Sequence, residues 1–218
     1  MKQLILASQS PRRKVLLNQI GVEFETYPSN IEEIVPDNTE PEDCVGLISQ
    51  RKANSVKEQL CINHRGSFVI LAADTIVVFN RRILEKPIDG NDAFNMLQML
   101  SGKWHEVITG VTIIDSESGE RLTHVEKTRV KVGKLTSKTI SNYIKTGEPF
   151  DKAGAYGIQG IGALLVEKIE GCFYNVVGLP LYSVSAMLSQ FGIKTILEKG
   201  KDISFGDAKN CNVQKGKK

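Results

Sequence analysis

The 218-residue chain has no cysteines at metal-ligating spacing: Cys44, Cys61, Cys172 and Cys211 are scattered, with no C-x-x-C among them. That scatter argues against a zinc site and a disulfide framework, and fits free thiols in a reducing compartment. The three histidines, His64, His105 and His124, lack ligand spacing and belong to no recognisable Ser, His and acid triad, so structural roles are expected for them. No apolar run approaches the ~20 residues of a membrane-spanning helix, and Leu4 to Ala7 is far too short for a secretory segment. Aromatic residues make up only 6% and do not interleave with the basic residues, as a nucleic-acid arm would require. A soluble, cytoplasmic protein with neither nucleic-acid nor membrane partners is expected.

What is present is ordinary globular composition, 41% hydrophobic and 24% charged, enough for one sizeable core or two joined lobes. The net charge of +3 is unevenly placed. Residues 199–218 carry six lysines against Asp202 and Asp207, so the tail holds +4 and residues 1–198 together hold −1. Residues 1–198 therefore read as a single domain. The tail, rich in Gly, Asn and Lys without helical or strand period, reads as a basic disordered extension.

Along the domain, Leu4 to Ala7 predicts a buried strand, followed at once by Ser10-Pro11, an N-cap residue with proline at the first helical position. The helix should use Val15, Leu16 and Ile20 as its apolar face and stop at Gly21, before a strand over Val22 to Tyr27. Thr39 with Glu42 suggests a capping box opening a helix to about Leu60 that carries Lys52. Phe68 to Ala73 is the strongest buried-strand signal, with Asp74 at its end and Thr75 to Phe79 extended beyond it. Lys86-Pro87 leads to a helix using Ala93, Met96, Leu97 and Leu100. Trp104 to Ile114 and Leu122 to Val132 predict a long hairpin around Ser116 to Gly119. A helix capped by Ser137, strands over about 163–169 and 173–177, and a last helix opened by Pro180 complete an α/β class with one mixed sheet.

Three groups of residues can carry chemistry. Ser8-Gln9-Ser10-Pro11-Arg12-Arg13 places two guanidiniums at a helix N-terminus, where unpaired N–H groups and the helix dipole favour phosphate. Asp74 emerges from an apolar strand, and a carboxylate there must cap, pair with a cation or bind metal. Glu32 and Glu33 are candidate partners for a shared divalent ion. Lys52 and Lys86 stand near element ends, and the segment 147–160 holds four glycines with Gln159, whose amide both donates and accepts. A uracil or thymine edge, an N3–H donor beside an O4 acceptor, suits such an amide. Each group also has a plain structural explanation: a capped helix, solvated loop acids, a glycine-rich turn.

Taken in order, Ala7-Ser8-x-Ser10-Pro11-Arg12-Arg13, Ala73-Asp74-Thr75, Lys86-Pro87, Leu100-Ser101-Gly102-x-x-His105, Thr109-Gly110-Val111, Gly147-Glu148-Pro149 through Gln159-Gly160, and Val177-Gly178-Leu179-Pro180 resemble the Maf family over about residues 3–190. The resemblance implies an elongated mixed β-sheet with flanking helices, two lobes around a cleft, inosine-triphosphatase-like. It implies a homodimeric nucleoside triphosphate pyrophosphatase, linked in the family to arrest of cell division and using a divalent metal cation, Mg²⁺ or Mn²⁺. Asp74 falls on the family's proposed proton acceptor, and Arg12, Thr75 and Gln159 on positions that track substrate choice. Ser8, Arg13, Glu33, Lys52 and Lys86 match phosphate and metal groups, with Glu33 and Asp74 expected at the metal. The Gln159 form resembles the branch acting on dTTP and UTP, with modified pyrimidine triphosphates as a variant of that reading; a non-enzymatic nucleotide-binding regulator of division is the alternative. Departures from the family pattern are Glu32 where Asp is common, Glu85 where Gly is common, and Ser49-Gln50-Arg51 before Lys52.

Overall fold

The computed structural model describes residues 2–33, 39–63 and 66–200, and within them seven strands form one mixed sheet flanked by helices. Residues 34–38 of the polar loop, His64, and 201–218 with Cys211 and nearly all of the expected tail lie outside the described residues.

Strand β1 (Gln3–Leu6) buries Leu4, Ile5 and Leu6 because it lies between two parallel neighbours, β2 (Phe24–Thr26) and β3 (Phe68–Phe79). The chain then turns into α1 (Pro11–Gln19) with Ser10 at the N-cap and Pro11 first, although the Ser10 side chain makes no cap hydrogen bond. The buried stripe of α1 is Arg13, Leu16 and Leu17, with Ile20 partly buried. Val15, expected on that face, is 60% exposed, since a stripe at 13, 16, 17 and 20 turns position 15 to solvent. Helix α2 (Pro41–Asn63) starts one residue later than a Thr39 cap implies and covers the other face of the sheet.

Beyond β3 come β4 (Arg82–Leu84), α3 (Gly90–Leu100), β5 (Trp104–Asp115), β6 (Arg121–Val132), α4 (Ser137–Ile144), β7 (Val166–Glu170), α5 (Phe173–Val177), α6 (Leu181–Gln190) and α7 (Ile196–Lys199). The strand order is β2-β1-β3-β5-β6-β7, with β4 also paired to β3, and every pair from β3 onward is antiparallel.

Other expectations change as well, and the helix after Pro180 is not the last, since α7 follows it. The predicted strand at 173–177 is a helix: Asn175 is fully buried and donates to the Val107 carbonyl and the Thr128 hydroxyl, both at 3.0 Å, and Gly178 at φ 118° ends the turn by donating to Tyr174 and Asn175. Tertiary hydrogen bonds thus override the β propensity of an aromatic and β-branched run. Residues Gly160–Leu165 form a 3₁₀ turn, so the strand there begins only at Val166. Helix α4 is capped by Thr136, which accepts from Thr139 N–H, rather than by Ser137.

The site is positioned by what interrupts β3. On one face Val69, Leu71 and Ala73 join an apolar cluster with Leu4, Leu6, Leu16 and Leu17, while Val77 and Phe79 join another with Leu97, Leu100 and Val130; Thr75 stands between them. On the other face Ile70 and Ala72 pack under α2, and Ile76 and Val78 pack with Val45 and Ile108; Asp74 stands between those. The period of two thus sends Asp74 and Thr75 to opposite faces at the same break. Along the edge, β1 pairs with β3 only to Leu71 and β4 only from Val77, so that edge of β3 is left uncovered at these residues.

Candidate active site

At that break lies a hollow of about 600 Å³, lined by Ser8, Arg12, Arg13, Glu33, Lys52, Asp74, Thr75, Lys86 and Gln159 among others. Every site residue that the family resemblance implies is therefore brought to one place, from segments as far apart in the chain as Ser8 and Gln159. Glu32 is exposed and does not line it, so of the two neighbouring acids only Glu33 faces the hollow. An adjoining hollow of about 570 Å³ shares Glu33, Asp74, Thr75 and Lys86 and is walled further by Cys44, Ile48 and Glu85. The Cys44 thiol has its pKa pushed up, first by burial and then by Asp74 and Glu33, which keeps it protonated and unsuited to nucleophilic work.

Helix α2 supplies Lys52. The close approach of that helix to β5 is permitted by Gly110, where a Cβ would lie 2.3 Å from the Val45 carbonyl oxygen, and is pinned by a 2.8 Å hydrogen bond between Ser49 and Thr112. Gly110 pairs with Asp74 across the sheet. The Lys52 ammonium consequently sits between two carboxylates, 2.7 Å from Asp74 Oδ1 and 2.6 Å from Glu33 Oε1. Asp74 is 6% exposed, so this pairing supplies the compensation that a buried carboxylate needs.

The two adjacent arginines have different tasks. Arg13, 9% exposed, spends its fork inside the protein: Nε donates to Gly178 O at 2.9 Å, Nη1 to Ser8 Oγ at 3.1 Å and Nη2 to Thr75 Oγ1 at 3.0 Å. Its pKa is lowered by burial and by Arg12, against the raising effect of Asp74 and Glu33, and a guanidinium remains charged regardless. Thr75 continues the network through Thr109, whose hydroxyl is 3.0 Å away and donates to the Asn175 carbonyl. Arg12 instead reaches across the hollow mouth to Asp151 at 2.7 Å, and Asp151 also takes Lys152 at 2.6 Å. Burial raises the Asp151 pKa, but the hydrogen bonds from Lys152 and Arg12 outweigh it and hold the carboxyl below its usual range.

Asp151, Lys152, Thr109 and Asn175 carry no role in the sequence reading. Asp151 and Lys152 stood within the glycine-rich segment without a partner, because Arg12 lies 139 positions away and no local pattern announces the pair. Tyr156 also lines the hollow and meets His105 Nε2 at 2.7 Å; burial depresses the His105 pKa to about 4, so the ring is neutral and structural, as expected. His124 pairs with Glu126 at 3.0 Å outside the hollow. Among the described residues, no cluster of three or more His, Cys, Asp or Glu is arranged to hold a metal ion. No described helix is long and apolar enough to cross a membrane.

Comparison with known proteins decides the family, since the model of the Maf-like proteins matches residues 3–191. The chain belongs to the Maf family. Among Maf relatives, a dTTP/UTP pyrophosphatase of Caldicellulosiruptor bescii is 50% identical over 192 residues, covering 88% of this chain and 96% of its own. One from Acetivibrio thermocellus is 46% identical over 198 residues, 90% of this chain and 98% of its own, and one from Bdellovibrio bacteriovorus is 46% identical over 188 residues, 86% and 98%. A solved structure of a HAM1 protein from Coxiella burnetii is similar with TM-score 0.49 at 15% identity, covering 87% of this chain and 100% of that one. The Maf match spans every element that lines the hollow, from the Ser8 turn to Gly178.

Proposed function

We propose that this Maf protein hydrolyses dTTP and UTP to the monophosphate and pyrophosphate. The observation that carries the reading is a single buried carboxylate, Asp74, facing a hollow into which Arg12, Lys52 and Lys86 converge at the N-terminus of α1. Relatives about half identical and named for that activity support it.

A triphosphate entering the hollow meets the first-turn N–H groups of α1 and the Arg12 fork, which exchanges Asp151 for phosphate oxygens. Arg13 keeps Ser8 and Thr75 in place beneath it. Asp74, with one oxygen held by a cation, accepts a proton from water at the other as that water attacks the α-phosphorus. The α–β P–O bond breaks, and its electron pair leaves with pyrophosphate, whose charge Lys86 and Arg12 offset. One positioned carboxylate contributes roughly 10²–10⁴-fold, and charge compensation in the hollow supplies more. Glu33 and Asp74 offer the hard oxygen donors that Mg²⁺ or Mn²⁺ takes alongside substrate phosphates, and the space between them already admits a cation, the Lys52 ammonium. Held there, the ion would neutralise phosphate charge. The Gln159 amide, in the lining of the hollow, matches the donor and acceptor edge of uracil and thymine. The family resemblance supports a homodimer in the cytoplasm, and the near-neutral charge of residues 1–198 supports the absence of nucleic-acid and membrane partners.

The test is Asp74→Asn assayed with UTP, with UMP and pyrophosphate both identified. Turnover should fall by ~10²-fold or more while UTP binding stays measurable by calorimetry. Unchanged turnover rejects the assignment, and an unmodified protein that binds UTP without releasing pyrophosphate rejects the activity.

A further inference from the structure

The loop carrying Gln159 is built from residues that hold no shape alone: Gly157, Gly160 and Gly162 surround it, and Gly160 has φ 65°. Its shape comes from two side chains of an earlier segment. Glu148 accepts the Ile161 N–H at 3.0 Å on one carboxylate oxygen and the Gly162 N–H at 2.9 Å on the other. The Tyr143 hydroxyl donates to that second oxygen at 2.9 Å and itself accepts the Gly157 N–H at 3.2 Å. The bonds bracket Gln159 on both sides. The fit is close: a Cβ at position 160 would lie 2.8 Å from a Glu148 oxygen, and one at 162 would lie 2.6 Å from the Tyr143 hydroxyl and 2.2 Å from the Gly157 carbonyl oxygen. Burial raises the Glu148 pKa, but the bonds from Gly162, Ile161 and Tyr143 outweigh it, so the group is held as the carboxylate. Neither Glu148 nor Tyr143 lines the hollow.

We propose that Glu148, bridged by Tyr143, is a positioning residue that sets base preference by fixing the backbone from which the Gln159 amide reaches into the hollow. The proposal rests on the pyrimidine triphosphatase reading for its substrate and on the clamp geometry for its mechanism. On a loose glycine loop the amide can shift to meet uracil or cytosine alike; with the backbone at 157, 161 and 162 held, its reach into the hollow is confined to one place, and a base that does not fit there is left with unpaired polar groups. A carboxylate suits the clamp because it only accepts, and all three of its partners donate. In Glu148→Gln one oxygen becomes NH₂, so at least one backbone N–H loses its acceptor.

The experiment measures kcat/KM for UTP and CTP in Glu148→Gln and Tyr143→Phe, each alone and combined with Gln159→Ala, beside amide hydrogen exchange at Gly157, Ile161 and Gly162. The UTP-over-CTP ratio should fall about fivefold in Glu148→Gln and about threefold in Tyr143→Phe, exchange at the loop amides should quicken, and the ratio should fall no further in the Gln159→Ala background. An unchanged ratio, or a fall of the same size when Gln159 is already absent, overturns the proposal. Unaltered exchange overturns the clamp. If Glu148→Gln does not fold, Tyr143→Phe carries the same comparison. Should the unmodified protein cleave neither nucleotide, the activity reading fails and takes the specificity role with it, and the exchange data separate that outcome from a failed clamp.

Discussion

Replacing Arg13 by Lys keeps the charge but removes the fork, and it should cost stability as well as activity. The guanidinium donates to Gly178 O, Ser8 Oγ and Thr75 Oγ1 at 2.9, 3.1 and 3.0 Å. An ammonium on a flexible stem can keep about one of these, and a hydrogen bond to a charged group contributes ~1.5–3 kcal/mol. Ser8 retains the Ser10 N–H and Thr75 retains Thr109, so the lower figure applies, and losing two bonds costs about 3 kcal/mol. In a chain of this size that lowers Tm by about 6–12 °C. Arg12→Lys is the internal comparison. Its pair with Asp151 joins side chains 30% and 58% exposed, and such pairs contribute ~0–1 kcal/mol, so Tm should stay within about 4 °C while kcat/KM for UTP falls. Thermal unfolding by circular dichroism beside pyrophosphate release reads both variants. An Arg13→Lys protein that melts within about 2 °C of the unmodified chain refutes the reasoning.

Gly110→Ala puts a methyl group against the Val45 backbone and should displace α2 and Lys52 with it, destabilising the protein by ~1–3 kcal/mol and lowering kcat. Gly46→Ala, whose Cβ meets only Val125 at 3.8 Å, should leave kcat unaltered; equal behaviour of the two in melting and kinetics contradicts the close-approach argument. His105, with its pKa depressed from 6.5 to about 4 by burial, is neutral in the folded protein while the unfolded chain takes up a proton below pH 6.5. Its effect on stability is therefore nil above that pH and grows to a loss of roughly 3 kcal/mol as pH falls to about 4. His105→Phe should flatten Tm against pH in that window, and an unchanged slope assigns the acid sensitivity to another group. Chelation of divalent ions should stop UTP hydrolysis, with Mg²⁺ restoring it; full turnover after exhaustive dialysis against EDTA excludes the Glu33 and Asp74 cation site.

Much of this protein is written locally. The strand ending at Leu6, the Ser10-Pro11 helix start, the β3 run and the long β5–β6 hairpin follow from short-range period and from Pro and Gly punctuation, which act within a few residues. That Asp74 must find a partner also follows from sequence, because a carboxylate in an apolar run cannot remain uncompensated. Tertiary structure decided what depends on residues far apart. It made Arg13 an internal brace and Arg12 the half-buried fork paired with Asp151, since only the placement of Gly178 and Asp151 distinguishes two neighbouring guanidiniums. It turned 173–177 into a helix through the burial of Asn175, against the local propensity of the segment. It broke the apolar core on both faces of one strand so that Asp74 and Thr75 open into the same hollow. Burial and long-range hydrogen bonding are properties of the packed chain, and no window of sequence contains them.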